Sequence, residues 1–134
     1  MSLIQLVYAS KPFGFDAPTL NGILSDARRL NPENDVTGAL ICRADLYLQL
    51  LEGPKEAVEA TYERITHDDR HVEVQCLVNK PIDNRLFANW AMRDDPARSW
   101  MWTQQEVDNG AISRASEDEV VGVFERLADE PEEG

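Results

Sequence analysis

The chain opens on Leu3 to Ala9, a short β-branched and aromatic stretch with apolar residues at both parities, which predicts a central strand covered on at least one face. Lys11 to Asp16 reads as a loop marked by Pro12 and Gly14, with Asp16 as a helix N-cap and Pro18 suited to the first turn. Leu20, Ile23, Leu24, Ala27 and Leu30 then recur at helical spacing while Ser25, Asp26, Arg28 and Arg29 face away. Asn31 and Pro32 end that helix, because a residue before proline is pushed out of the α region. Val36 to Cys42 and Leu46 to Glu52 are two strands joined by the polar Arg43, Ala44 and Asp45. Gly53 and Pro54 break the second of these and start a helix with Val58, Tyr62 and Ile65 as its apolar stripe. His67 to His71 is a polar connection, Val72 to Val78 a fourth strand, Asn79 to Asn84 a turn around Pro81, and Phe87 to Met92 a fifth strand.

This order, βαββαβ with one more strand, predicts an α+β, ferredoxin-like arrangement. Right-handed crossovers put both helices on one face of a mixed five-stranded sheet. The groove between them is the natural place for a flat ligand. After Asp95 the composition shifts. Ser99 to Trp102 is an apolar anchor, and Ser116 to Glu119 caps a short helix with Val120, Val123, Phe124 and Leu127 on one side. Residues 1–95 are accordingly expected to form a ligand-binding domain, and 96–134 a C-terminal helical tail. That tail is expected to cover the open sheet face or to serve a dimer or partner, with a charged, frayed end from Asp129 to Gly134.

Composition narrows the functions. The 134 residues carry 13 Lys+Arg against 25 Asp+Glu, a formal net charge of -12, which disfavours nucleic acid and anionic membranes as partners. No apolar run reaches the roughly 20 residues that span a bilayer, and no signal peptide opens the chain, so a soluble, cytoplasmic protein is expected. Cys42 and Cys76 lie in apolar stretches without a CxxC spacing and read as small core residues. His67 and His71, the two histidines, sit in a loop among Asp68, Asp69 and Arg70, which does not make a convincing metal site. No GxSxG motif, Cys–His pairing or P-loop supports a hydrolase of the common kinds.

The polar residues written into apolar strands carry more information. Gln49, within Tyr47 to Leu51, either alternates outward on a half-exposed strand or is a buried amide whose donors and acceptors all need partners. Tyr8 is either a core tyrosine with a satisfied hydroxyl or a site residue, and Asn31 either a helix C-cap or the rim of a site. If the first and third strands pair, all three surround one groove. A phenol and two amides there suit a heterocycle with its own donors and acceptors.

At these residues the sequence resembles the BLUF family, blue-light sensors that use flavin. The resemblance runs from about Leu3 to Met92. It is carried by Leu6 to Ser10, by Asn31 to Leu40, by Leu48 to Gly53, by Tyr62 to Ile65 with Asp68 to His71, and by Phe87 to Met92. It implies that Tyr8 donates an electron and a proton to the excited flavin, and that Gln49 lies between that phenol and flavin N5 and O4. Asn31 would bind the pyrimidine edge, and Ile23 and Ile65 would clamp the ring from facing helices. Arg64 and Asp68, with Arg70 and His71, would hold the polar rim. Trp90 and Met92 would be the pair whose placement near Gln49 changes between states, with Ser10 a partner of the tryptophan or the glutamine. Leu30 stands where the family often has a polar residue. The implied cofactor is FAD, with FMN or riboflavin as alternatives. The implied output is a downstream signalling protein, without enzymatic activity in this chain, and a homodimer or higher homo-oligomer is expected. Two other classes share the βαββαβ order: a small hydrolase of acyl phosphates, and an interaction module whose pocket has degenerated. The first lacks a Gly-rich phosphate loop with a following Arg after the first strand, where Ser10, Lys11 and Pro12 stand.

Overall fold

A computed structural model describes residues 3–12 and 17–130. The expected N-cap Asp16, the loop glycine Gly14 and the last four residues of the chain lie outside them. The strands are β1 (Leu3–Pro12), β2 (Thr37–Arg43), β3 (Leu46–Pro54), β4 (His71–Ile82) and β5 (Arg93–Pro96). The helices are α1 (Ala17–Leu30), α2 (Lys55–Thr66), α3 (Gln104–Asp108), α4 (Ala111–Arg114) and α5 (Glu117–Ala128), with a short 3-10 turn over Pro32–Asn34. The sheet order is β4-β1-β3-β2-β5, antiparallel except for the parallel β2–β5 pair. This is the α+β, five-stranded arrangement that the element order implied.

Strand alternation sorts the core into two layers. Ile4, Leu6 and Tyr8 of β1, with Tyr47 and Leu51 of β3, pack with Ile23, Leu24 and Val58 of the helices. Val7 and Ala9, with Leu46, Leu48 and Leu50, point the other way and pack under α5, which buries Val120, Val121, Val123, Phe124 and Leu127. The tail thus covers the sheet face left open by α1 and α2. Its helix begins with a capping box between Ser116 and Glu119. The inner strands approach closely at Gly38, where an added Cβ would stand 1.9 Å from the Leu50 carbonyl oxygen.

Several expectations are corrected. Phe87 to Met92 is not a strand; these residues turn, with Trp90 N–H donating to Phe87 O at 3.1 Å, and the fifth strand is Arg93–Pro96. The reason is that the segment's main-chain groups bond to side chains more than to a neighbouring strand: Phe87 N–H donates to Glu52, Ala91 O accepts from Asn31 and Met92 O accepts from Arg28. β1 runs through Lys11 and Pro12 into the expected loop. β4 continues past Val78 through Pro81, which an edge strand tolerates because its outward N–H has no ladder partner to lose. Cys76 is exposed on that edge and Cys42 only half-buried, so neither thiol is a fully buried core residue. Helices α3 and α4 were not anticipated, although Thr103 and Glu106 form a second capping box legible as T-x-x-E. Glu130, expected to fray, accepts from Arg98 Nε at 2.8 Å and from Trp100 Nε1 at 3.2 Å.

Candidate functional site

Tyr8 and Gln49 are direct cross-strand partners on the two central strands, both on the helix-covered face. The Tyr8 hydroxyl donates to Gln49 Oε1, and Gln49 Nε2 donates to Met92 Sδ at 3.3 Å. Gln49 is 3% exposed, so the buried-amide alternative holds and the outward one does not. Burial, followed by the charge of Asp68, raises the Tyr8 hydroxyl well above its ordinary range. The phenol is therefore neutral at any working pH.

Above this pair lies a cavity of about 450 Å³ between α1 and α2, within the ~300–1,000 Å³ usual for small-molecule sites. Ile23 and Ala27 line it from one helix, Thr61, Arg64 and Ile65 from the other, and Gln49, Leu51, Asn31 and His71 close it. Ile23 and Ile65 therefore do face one space across the groove. Asn31 is buried, and its Nδ2 donates to Ala91 O at 2.8 Å, which leaves the amide carbonyl as the group offered to a ligand. Its main chain ends α1: Asn31 N–H donates to Ala27 O, and its carbonyl accepts from Asn34 and Val36.

Arg70 crosses the mouth. It donates to Asp68 Oδ2 at 2.6 Å and to Asp26 Oδ2 at 2.8 Å, tying α1 to the segment after α2. Hydrogen bonds from Arg70 hold both carboxyls below their usual range and raise the guanidinium in turn. Asp68, Arg70 and Arg64 all line the cavity, but the first two are already committed to each other.

Two placements, those of Ser10 and His71, differ from expectation. Ser10 Oγ lies 2.9 Å from His71 Nδ1, so it partners neither Trp90 nor Gln49. It belongs to the same face of β1 as Tyr8, but one strand over, β4 presents the imidazole to it. Of the pair Trp90 and Met92, Met92 is the one beside Gln49 in this structure, and Trp90 is 36% exposed. His71, expected in a polar loop, is buried as the first residue of β4, with its ring 5.8 Å from that of Tyr8 and 5.2 Å from that of Tyr47. Among the described residues no group of three or more His, Cys, Asp or Glu could hold a metal ion.

Burial pushes the His71 imidazole down to about 4 from 6.5. The unfolded chain therefore binds a proton between these values that the folded chain does not. Stability supplied by neutral His71 is complete above about pH 6.5 and is lost as the pH falls towards 4. Between pH 7 and 4.5, urea unfolding should show the wild type losing about 2 kcal/mol more than His71→Gln. Equal losses would mean that His71 titrates normally.

A mixed sheet carrying a buried phenol–amide pair under an apolar, amide-rimmed slot defines a binding domain for a flat heterocycle. Comparison with known proteins agrees. Residues 3–93 match the family described as BLUF, sensors of blue-light using FAD, and the chain belongs to that family. The chain is 44% identical over 92 residues to the blue light- and temperature-regulated antirepressor BluF of Escherichia coli (strain K12), spanning 67% of this chain and 23% of that protein. To the photoactivated adenylate cyclase subunit beta of Euglena gracilis it is 36% identical over 74 residues, 54% of this chain and 9% of that one. The chain thus spans less than a quarter of these relatives. Among solved structures, the dark state of the BLUF protein BlrB superposes with a TM-score of 0.78 at 25% identity, covering 95% of this chain and 96% of that one. The ground state of BlsA gives 0.84 at 24% identity over 98% and 91%, a likeness of fold. The family match places the chain with the blue-light sensors and not with the acyl-phosphate hydrolases. No helix among the described residues is long and apolar enough to cross a membrane.

Proposed function

We propose that this chain is a blue-light sensor that holds FAD between α1 and α2 and signals through the orientation of Gln49. The observation that supports it most is the Tyr8–Gln49–Met92 chain of hydrogen bonds, whose middle member, Gln49, lines the cavity. The side chains fit a flavin ring. Ile23 and Ile65 supply apolar walls, the Asn31 carbonyl an acceptor for a ring N–H, and the second N–H of Gln49 a donor. Arg29 and Arg64, which line the cavity, supply cations suited to a phosphate beyond the ring and so favour FAD or FMN over riboflavin.

A bound flavin would supply the blue-light absorption and an excited-state acceptor for one electron from a phenol. Tyr8 is placed to supply that electron, and its hydroxyl proton has one short path, to Gln49 Oε1. A buried neutral phenol does not release the proton unaided, so electron and proton leave together. On return of both, the amide is left in a different hydrogen-bonded arrangement. Met92 Sδ accepts from Gln49 Nε2 only while that nitrogen faces it; an oxygen turned towards the sulfur makes no such bond. Since a net hydrogen bond is worth about 1 kcal/mol, the signal is the bias of a two-state segment and not a large driving force.

Residues 1–95 are proposed as the sensing body and 96–134 as the extension through which a partner protein reads it, with no enzymatic step in this chain. We further propose a cytoplasmic setting and a homodimer or larger homo-oligomer. Tyr8→Phe keeps the shape of the site and removes the proton. The variant should bind FAD as the wild type does and lose its light response at least tenfold in yield, as read by absorbance after a measured blue dose. An undiminished yield would remove Tyr8 from the role.

A further inference from the structure

Glu52 is a buried carboxylate that the Tyr8–Gln49 chemistry does not use. It is 0% exposed, on the sheet face opposite the cavity, and among the described residues no ion pair involves it. Arg85, the cation close by, is directed elsewhere: to Thr37 Oγ1 at 3.1 Å, to the main-chain carbonyl of Glu52 at 3.5 Å and to Asp35 at 3.1 Å. A carboxylate removed from water persists only where fixed donors replace the water. Here they are Phe87 N–H at 3.0 Å, Leu86 N–H at 2.9 Å and Gln5 Nε2 at 3.2 Å. Two successive main-chain N–H groups aimed at one anion form a small concave nest.

What the carboxylate holds is the start of the turn segment that ends at Met92. The far end of that segment is held on the cavity side, by Asn31 Nδ2 on Ala91 O, Arg28 on Met92 O at 3.2 Å, and Gln49 on Met92 Sδ. Between the two ends Gly38 N–H donates to Trp90 O at 3.1 Å. The segment therefore passes from one layer of the core to the other within six residues, with its first anchor on Glu52. Phe87, whose amide Glu52 accepts, stands edge-on to Phe124 of α5, with ring centroids 6.3 Å apart.

We propose that Glu52 is a positioning residue for the light response: its carboxylate fixes the entry of the 86–92 segment and through it the place of Met92 Sδ against Gln49. This rests on the reading of Gln49 as the switching amide. It adds that the switch has a support on the opposite face of the sheet, where α5 also packs. Glu52→Gln replaces one of the two acceptor oxygens with a donor that cannot accept from a main-chain N–H.

The test uses the flavin-loaded chain with 13C-methyl methionine, in which Met101, buried in the other layer, is an internal reference. In Glu52→Gln the amides of Leu86 and Phe87 should exchange with deuterium at least tenfold faster. The Met92 methyl signal should move in the dark while that of Met101 holds, and dark recovery should change at least threefold. Leu46→Ala, destabilising but at the far end of β3, should do none of these. Gln5→Leu, which keeps the carboxylate and removes one donor, should shift Met92 in the same direction by less, and it decides the matter if Glu52→Gln fails to fold. An unmoved Met92 signal with unchanged recovery would overturn the proposal, as would the same changes in Leu46→Ala. If the wild type itself shows no light response, the reading of Gln49 has failed, and the methyl and exchange data still report whether Glu52 sets Met92.

Discussion

Gln49→Leu is expected to abolish the blue-light absorption shift completely while leaving flavin bound. The replacement is close in volume and apolar, and the site is 3% exposed among Leu48, Leu50 and Leu51, so the strand should accept it. What disappears is an acceptor for the Tyr8 hydroxyl, a donor to Met92 Sδ and a donor facing the cavity. Loss of the first leaves a buried phenol unpartnered, which costs about 1–3 kcal/mol of stability. Loss of all three removes the only amide that touches phenol, sulfur and cavity together among the described residues. The apolar clamp of Ile23 and Ile65 and the Asn31 edge remain, so flavin affinity should fall by less than tenfold. Absorbance before and after illumination checks the first part and a flavin fluorescence titration the second. A variant that still switches would show that Gln49 does not carry the signal.

The largest effect on stability is expected from Phe124→Ala. Phe124 is fully buried, sits at the centre of the tail-side layer and packs edge-on against Phe87. Truncating such a ring costs about 3–5 kcal/mol, from lost burial and the cavity left behind. For a domain of this length that corresponds to a fall in Tm on the order of 10–15 °C, measurable by circular dichroism. The cavity between α1 and α2 lies on the other side of the sheet, so affinity for flavin should change little at temperatures where the variant is folded. A fall of under about 3 °C would mean that α5 is not part of the cooperative core.

Much of this was legible in the sequence because it is local. Helical spacing from Leu20 to Leu30, the polar connection at Ala44 and the Ser116–Glu119 cap each follow from neighbours within a few positions. The pairing of Tyr8 with Gln49 is a 41-residue contact, and nothing near either residue fixes it. It entered as a consequence of strand order, and the family resemblance supplied the register. The fifth strand was misplaced because local pattern pointed to the wrong residues. Phe87 to Met92 is apolar and aromatic, whereas the actual strand, Arg93-Asp94-Asp95-Pro96, has almost no β-propensity. It forms because it pairs in parallel with Ala39 to Cys42 of β2, and because the local Arg93–Asp95–Arg98 charge cluster is closed by Glu130, whose carboxylate and main-chain carbonyl accept from Arg98 and Arg93. His71 departs from its local pattern for a related reason. Polar neighbours suggested solvent, yet β4 begins there and turns the imidazole onto Ser10 and two tyrosines. Locally Glu52 marks no more than the end of a strand, since the donors that make its burial tolerable come from residues 34, 35 and 47 positions away.

The decisive measurement is a light-minus-dark absorption spectrum of the purified wild-type chain saturated with FAD. A yellow protein whose main band moves to longer wavelength under blue light, and returns in the dark, is the predicted result. A chain that binds FAD in this cleft and gives a flat difference spectrum would contradict the claim that Tyr8 and Gln49 form a photochemical pair.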